Sequence, residues 1–346
     1  MKVLCDFHHS ELYESLLKVF EDRFFADVYR PIGHEWLLEG CWKIGSTPDV
    51  IGQYLDSNAA SEIEPGIWLE DGKDHKAYYS ELIEIYGRKN PHKRITLPRA
   101  KEMNWDIIIT TFNPHFDPME DFRLKYCPSA RHILQMGNVS YAIPTRVQNV
   151  MNSTGKDWSS VPNYVEYYQE FDSNSLSWEF PINDAKAIYC FLILNQGHRG
   201  KDFLELEQLM GGWVFKEYGA FNRDGHIHNF ADQCQKMREA GFLWHVKLNG
   251  DGYGYNLYRA LYSGKPVIIN HGTVYKDHRL SNVGLFEEGR TFIDYDGKSV
   301  EEIKQAVLRM YAKWEQHSRH LYDRMHELIV FDNEAEKIRK FVENLR

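Results

Sequence analysis

The sequence predicts an α/β protein made of two Rossmann-like domains in succession, and three features carry that expectation. The chain has 346 residues, more than one hydrophobic core usually serves, so two domains are the natural reading. Short apolar runs alternate with amphipathic stretches twice along the chain, with a segment of different composition between the two series. Hydrophobic residues make up 43% and aromatics 14%, which is enough to fill two cores and lies far from disordered composition.

The first series opens with an apolar run from Lys2 to Phe7, read as a strand that ends in His8-His9-Ser10-Glu11. Leu12, Leu16, Leu17 and Phe20 follow at helical spacing, and Ala26 to Tyr29 reads as a second strand. From Ile32 to Lys101 aromatics and charges mix without a period, so loops and irregular helices are expected. Trp105 to Thr111 is apolar enough for a buried parallel strand, with Phe112-Asn113-Pro114-His115 as its polar exit. His132 to Met136 repeats the pattern and exits at Gly137-Asn138. The stretch from Asn152 to Asp184, rich in Ser, Asn, Pro and aromatics, reads as the crossing between domains.

The second series is more regular. Strands are expected at 187–194, 213–218, 242–246, 266–270 and 291–294, with helices at 201–210, 230–240 and 253–262. Residues 300–346 read as almost wholly helical, with Val307, Met310, Tyr311 and Trp314 as one stripe. This divides the chain into an N-terminal Rossmann-like domain over 1–175 and a C-terminal one over 185–330. A C-terminal helix over 331–346 is expected to pack back towards the first domain. Ligands of such sheets bind outside the carboxyl ends of the strands, here in the cleft between the domains.

Charge and cysteines narrow the function classes. A net charge of -9 argues against a general nucleic-acid coat or attraction to anionic membranes. Five scattered cysteines without CxxC spacing argue against metal fingers and a disulfide framework, and fit a reducing cytoplasm. The N-terminus turns polar within a few residues, unlike a signal peptide, and no apolar run is long enough to span a membrane.

The segment from Asn249 to Ile269 carries the chemistry: a glycine-rich turn, a helix, a glycine stop and a buried strand. Gly250, Gly252 and Gly254 permit positive φ and close approach of a ligand to the backbone. The helix opening at Tyr253 offers free amides and a positive dipole end, a ready phosphate site. Gly264-Lys265-Pro266 ends that helix sharply. A turn of this kind is more often merely tight than it is an anion site.

This segment resembles the nucleotide-sugar motif of the retaining GT-B glycosyltransferases of family 4 (glycosyltransferase group 1). Those enzymes carry an acidic residue, Gly, an aromatic, Gly, and then a helix ending near Gly-x-Pro-Val-Ile. The resemblance spans about residues 185–346 and implies two Rossmann-like domains facing a central cleft, the GT-B fold. It implies transfer from a nucleotide sugar, a UDP- or GDP-sugar serving as co-substrate, without a cofactor and without an obligatory metal. Asp251 stands at the acidic place that touches the transferred sugar. Gly252, Tyr253, Gly254 and Tyr255 stand in the turn that lies against the donor. Arg259 stands where the family has a second acid that binds the ribose, and a guanidinium donates only, so it cannot accept from a ribose diol. Asp251, Tyr255 and Arg259 fall on one helix side at steps of four, so Arg259 pairs with Asp251, reaches a phosphate, or is a solvated surface arginine. Arg199 and Lys201, in Asn195–Asp202, occupy the place of the pyrophosphate clamp; the alternative is exposed loop charges. Lys247 and His245 lead into the turn and line the donor pocket, with core packing as the alternative for His245.

In the first domain His8, His9, Asn113 and Asn138 are acceptor-side candidates by topology, and His115 and Glu11 are catalytic ones. Retention needs no strong protein base, whereas inversion would need one from His8, His9, Glu11 or His115. The His226-x-His228 pair lacks an evident third ligand, so no metal site is expected. A metal-binding Asp-x-Asp of the GT-A type could only be Asp294-Tyr295-Asp296, which lies too late in the chain. The acceptor is a hydroxyl of a glycan, a lipid-linked sugar or another molecule. Arg88 to Lys101 holds six Lys/Arg and no acid, which keeps open DNA with hydroxymethylated bases. A nucleotide-sugar epimerase and a non-catalytic sugar or nucleotide binder are the competing classes on the same fold.

Overall fold

The apolar runs become strands of two parallel sheets, because residues buried on both faces carry no alternation and need helices over each side. The computed structural model describes residues 1–6, 10–31, 36, 39, 41, 60–64, 67–70, 93–137, 144–181, 183–192, 194, 199–219, 222–227, 230–248 and 250–345. They divide into two units: residues 1–171 together with 331–346, and residues 172–330.

In the first unit, β1 (Lys2–Cys5), β2 (Asp27–Pro31), β5 (Lys93–Ile95), β6 (Ile107–Thr110), β7 (Arg131–Met136), β8 (Asn149–Asn152) and β9 (Asn163–Glu166) form one sheet. Its order is β5-β2-β1-β6-β7-β8-β9, and every pairing is parallel. β3 (Ala60–Glu64) and β4 (Ile67–Glu70) form a separate antiparallel pair. The helices are α1 (Ser10–Leu17), continued by a π-helical turn over Lys18–Arg23, α2 (Leu97–Glu102), α3 (Asn113–Tyr126) and, from the far end of the chain, α10 (Phe331–Glu343). Leu16 and Phe20 on the first helical stretch pack into the core with Val3, Leu4, Ile108 and Ile109, and Ile338 and Phe341 of α10 belong to the same cluster.

Three expectations for this half need correction. The described parts of 32–101 include an antiparallel pair, a strand and a helix, where irregular structure was expected. Asn113-Pro114-His115 is not a loop but the first turn of α3, with Pro114 where its missing N–H is no loss. Residues 152–184 are not simply a crossing: β9 lies within them as the edge strand of the first sheet. An edge strand of four residues with alternate exposure carries little hydrophobic signal.

In the second unit, β10 (Ala187–Cys190), β11 (Val214–Glu217), β12 (Phe242–Trp244), β13 (Val267–Ile269) and β14 (Phe292–Asp294) run parallel in the order β11-β10-β12-β13-β14. The helices are α4 (Gly200–Leu209), α5 (Phe230–Glu239), α6 (Tyr255–Tyr262), the short α7 (Arg279–Asn282), α8 (Val300–Tyr311) and α9 (Trp314–Leu328). The expected helical tail is thus three helices; a Ser299–Glu302 capping box fixes the start of the first. Val307, Met310 and Trp314 are buried as one stripe, while Tyr311 is half-buried and donates to Asp184.

Each sheet reverses its order once, between β1 and β6 in the first unit and between β10 and β12 in the second. Helices leave such a pair of strands towards opposite faces, which opens a crevice at their carboxyl ends. These two places are where function is expected.

Close packing at the start of β12 gives a test. A Cβ built on Gly241 would stand 1.9 Å from the Ala185 carbonyl oxygen, whereas one on Gly211 meets nothing within 4 Å. Gly241→Ala should destabilise the protein by about 1–3 kcal/mol or more, and Gly211→Ala should stay within about 0.5 kcal/mol. Thermal melts that shift equally for both variants would contradict this packing.

Candidate active site

The second sheet's reversal is flanked by the exits of β10 and β12. Past β12 the chain runs through His245, Val246 and Lys247, and Asn270 beyond β13 clamps it, accepting from the Lys247 amide and donating to the Lys247 carbonyl. Asp251 follows, 7% exposed, and its carboxylate gathers three donors. His245 Nε2 lies at 2.9 Å, Lys247 Nζ at 2.5 Å and the Tyr275 hydroxyl at 2.8 Å. Burial alone would raise the Asp251 pKa, but the Lys247 ammonium and His245 overcome it and hold the group well below the usual carboxylate range. The same burial, reinforced by the Asp251 charge, pushes the Tyr275 phenol well up, so it stays a donor.

The turn after Asp251 explains its glycines. Gly254 has φ of 71° and caps α6, and a Cβ on it would stand 2.6 Å from Asp251 Oδ2. Gly250 also has positive φ, at 83°. The helix opens at Tyr255, not at Tyr253. Tyr253 is buried and stacks on Tyr258 with ring centroids 3.9 Å apart, so its ring is packing for the turn. Opening amides of a helix have no intrahelical acceptor, so α6 presents its donors and positive end at the carboxyl edge of the sheet.

Arg259 corrects an expectation. It is neither solvated nor paired with Asp251, which precedes the helix. It is 6% exposed, donates through Nη1 to Gln233 Oε1 at 2.9 Å, and lies 4.4 Å from the Phe230 ring centroid and 5.3 Å from that of Tyr255. The reason is that α6 is buried nearly all round, so the side that would meet solvent meets α5. Arg199, in the left-handed region with φ of 58°, caps α4 past β10, and Lys201 lies in its first turn; both are exposed. Arg199 lies 5.9 Å from the Tyr295 ring centroid. Asn195 to His198 lie outside the described residues.

At the first sheet's reversal the structure joins His115 to a residue that sequence reasoning passed over. His115 is buried, with Nδ1 2.8 Å from Asp6 Oδ2. Asp6 is the residue directly after β1; an acid closing a buried strand was the available signal. Glu11 is half-buried in the first turn of α1, and Asn113 opens α3. His8, His9 and Asn138 lie outside the described residues. Tyr275 and His278 were also passed over, and nothing in the local pattern marks them.

Metal readings gain no support. Among the described residues no three His, Cys, Asp or Glu side chains cluster to hold an ion. His226 is exposed and His228 is outside the described residues. The carboxylates of Asp294 and Asp296 are engaged by the backbone amides of His271 and Thr273, so this Asp-x-Asp braces a turn. A cavity of about 550 Å³ lined by Phe180, Asp184, Trp314 and Arg319 lies beside the amino end of β10, the wrong end of the sheet for the site.

No family model matches the sequence, and no curated protein matches it. Solved structures do. Anabaena HepE in complex with UDP and glucose matches over 100% of both chains, with a TM-score of 0.63 at 12% identity. The sucrose-phosphate synthase of Thermosynechococcus elongatus matches 99% of this chain and 98% of its own, with a TM-score of 0.62 at 10% identity. A glycosyltransferase from Rickettsia africae matches 99% and 97%, with a TM-score of 0.59 at 9% identity. The chain has the GT-B glycosyltransferase fold. On that GT-B frame Asp251, Lys247 and the opening of α6 sit past β12, and Arg199 and Lys201 past β10, on the two strands that flank the reversal.

His278 offers a test of the site's burial. It caps α7 through Nδ1, and burial pushes its pKa down to about 4, with Asp251 pulling the other way. An unfolded histidine titrates near about 6.5. The unfolded chain therefore takes up this proton first, so stability falls as pH drops from about 6.5 to 4. His278→Asn keeps a capping acceptor and removes the titration, so its melting temperature should fall less over that interval. Parallel curves for variant and parent would refute the assignment.

Proposed function

We propose that the chain is a glycosyltransferase that moves a sugar from a nucleotide-sugar donor to a hydroxyl acceptor. The observation that carries this reading is the turn held by Asp251 ahead of α6, at the order reversal of the second sheet. A diphosphate is the ligand such an amide-rich helix opening suits. The donor we propose is a UDP-sugar, with a GDP-sugar as the variant to compare; HepE, the structural neighbour described above, is seen with UDP and with UDP-glucose.

In this proposal Arg199, Lys201 and Lys247 carry the charge that develops on the leaving nucleoside diphosphate, the part a metal ion plays elsewhere. Gly252, Gly254 and the Tyr255 amide approach the donor through the backbone, and Tyr253 and Tyr255 keep the turn rigid. An ionised carboxylate has about four lone-pair positions, and the three donors on Asp251 leave room for one sugar hydroxyl. Arg259 does not take the ribose in this scheme; through Gln233, whose amide donates to Asn256, it fixes the first turn of α6. Departure of the diphosphate and attack on the same face of the anomeric carbon give retention, with the leaving phosphate assisting the proton transfer. His115, with Asn113 and Glu11 nearby in sequence or topology, serves the acceptor side.

The acceptor we propose is a hydroxyl of a glycan or lipid-linked sugar. Within the basic run, Lys93 pairs with Asp27, Arg99 with Glu102, and Lys101 lies over the Tyr126 ring, so part of its charge is already met and DNA gains no support. The reaction is proposed for the cytoplasm, where the five buried free cysteines would stay reduced.

The experiment is a thermal-shift series with UDP-glucose, a GDP-sugar and UDP, followed by release of UDP with and without EDTA. A donor at a hundred times its dissociation constant should stabilise by about 2.7 kcal/mol, and EDTA should leave UDP release unchanged. Replacing both Arg199 and Lys201 by Ala should lower kcat/KM by about 10²–10³, as for other lost transition-state donors. No stabilisation by any nucleotide or nucleotide sugar would end the proposal.

A further inference from the structure

β1 and β6 flank the order reversal of the first sheet, and their exits are tied by one carboxylate. Asp6 is fully buried. Its Oδ1 accepts from the Thr111 amide and, at 2.8 Å, from the Thr111 hydroxyl. Its Oδ2 accepts from the Phe112 amide at 3.2 Å and faces His115 Nδ1 at 2.8 Å. Three of these four partners are donors by nature, and the fourth makes a bond only if Nδ1 carries the proton. A neutral imidazole protonated there presents Nε2 as an acceptor. That nitrogen is buried and has no hydrogen-bond partner among the described residues. Leaving a buried polar atom unmatched is costly, and the residue that leaves it so stands at the switch point, where ligands of such sheets bind. The ring is otherwise fixed: Phe112 packs edge-on against it with centroids 4.9 Å apart.

We infer that Asp6 is a positioning residue, which holds His115 as the Nδ1–H tautomer so that Nε2 accepts a hydrogen bond from a substrate hydroxyl. The transferase reading enters only in saying which substrate brings that hydroxyl. Asp6→Asn exchanges one oxygen for an amide that donates. Facing Nδ1, this amide turns the ring to the Nε2–H tautomer, and the acceptor is lost.

Nitrogen NMR of labelled protein reads the tautomer directly, with the His115 ring assigned from its absence in His115→Phe. The parent should show a protonated Nδ1 and a bare Nε2, and Asp6→Asn should move the ring to Nε2–H. Release of UDP from UDP-glucose should then fall about 10-fold in kcat, the scale of one lost hydrogen bond to the reacting hydroxyl, with the UDP-glucose concentration for half-maximal thermal stabilisation unchanged. Thr111→Val removes a different donor to Asp6 and should keep the parent ring spectrum. A parent ring protonated on Nε2, or a folded Asp6→Asn protein with an unchanged ring spectrum, overturns the inference. If Asp6→Asn does not fold, the parent spectrum decides. Absence of UDP release from the parent counts against the transferase reading alone, because the ring is observed without substrate.

Discussion

A carboxylate withdrawn from water must find donors or give up its charge, and Asp251 finds three. They come from two strand exits: His245 and Lys247 past β12, and Tyr275 past β13. The geometry of the glycine turn follows from that gathering. The carboxylate occupies the space a side chain on residue 254 would need, so only glycine can cap α6 there. The helix then begins at the carboxyl edge of the sheet, with its positive dipole end there. A Tyr253–Tyr258 stack and the Arg259–Gln233–Asn256 chain hold its first turns from either side. The charge cluster and the aromatic packing are therefore one construction.

The first sheet uses the same kind of anchor with different chemistry. Asp6, like Asp251, is a buried aspartate beyond a strand that borders the order reversal. Its surrounding groups are two amides, a hydroxyl and an imidazole, with no ammonium among them. An anchor made of neutral dipoles directs a histidine; one containing a lysine concentrates positive charge. On the transferase reading proposed above, Asp251 with its lysine belongs to charge stabilisation and Asp6 with His115 to holding the acceptor hydroxyl.

Much of this architecture was legible because parallel strands announce themselves. Ile107-Ile108-Ile109 and Val267-Ile268-Ile269 are buried on both faces, and each had been placed correctly from its uninterrupted apolar character. The glycine segment was legible for a related reason, since backbone geometry at Gly254 admits no other residue. What was not legible depends on distant partners. Arg259 looks like a surface residue until Gln233 and Phe230 arrive from another helix. Tyr275 reaches Asp251 across 24 residues and Asp6 reaches His115 across 109. No local period encodes such meetings. β9 was missed for the opposite reason: at the sheet edge, half its residues face solvent and the apolar signal vanishes.

The path of the chain has a consequence for biosynthesis. Residues 172–330 are inserted into a unit whose later piece carries α10, and Ile338 and Phe341 of that helix fill the core around β1 and β6. The first portion therefore waits for a piece made after the inserted unit. During translation the inserted unit has its complete sequence while its predecessor still lacks a wall, reversing the usual vectorial order in which the leading domain is finished first. A chain made only as far as residue 330 would hold the complete sequence of the second unit and leave the first core without α10.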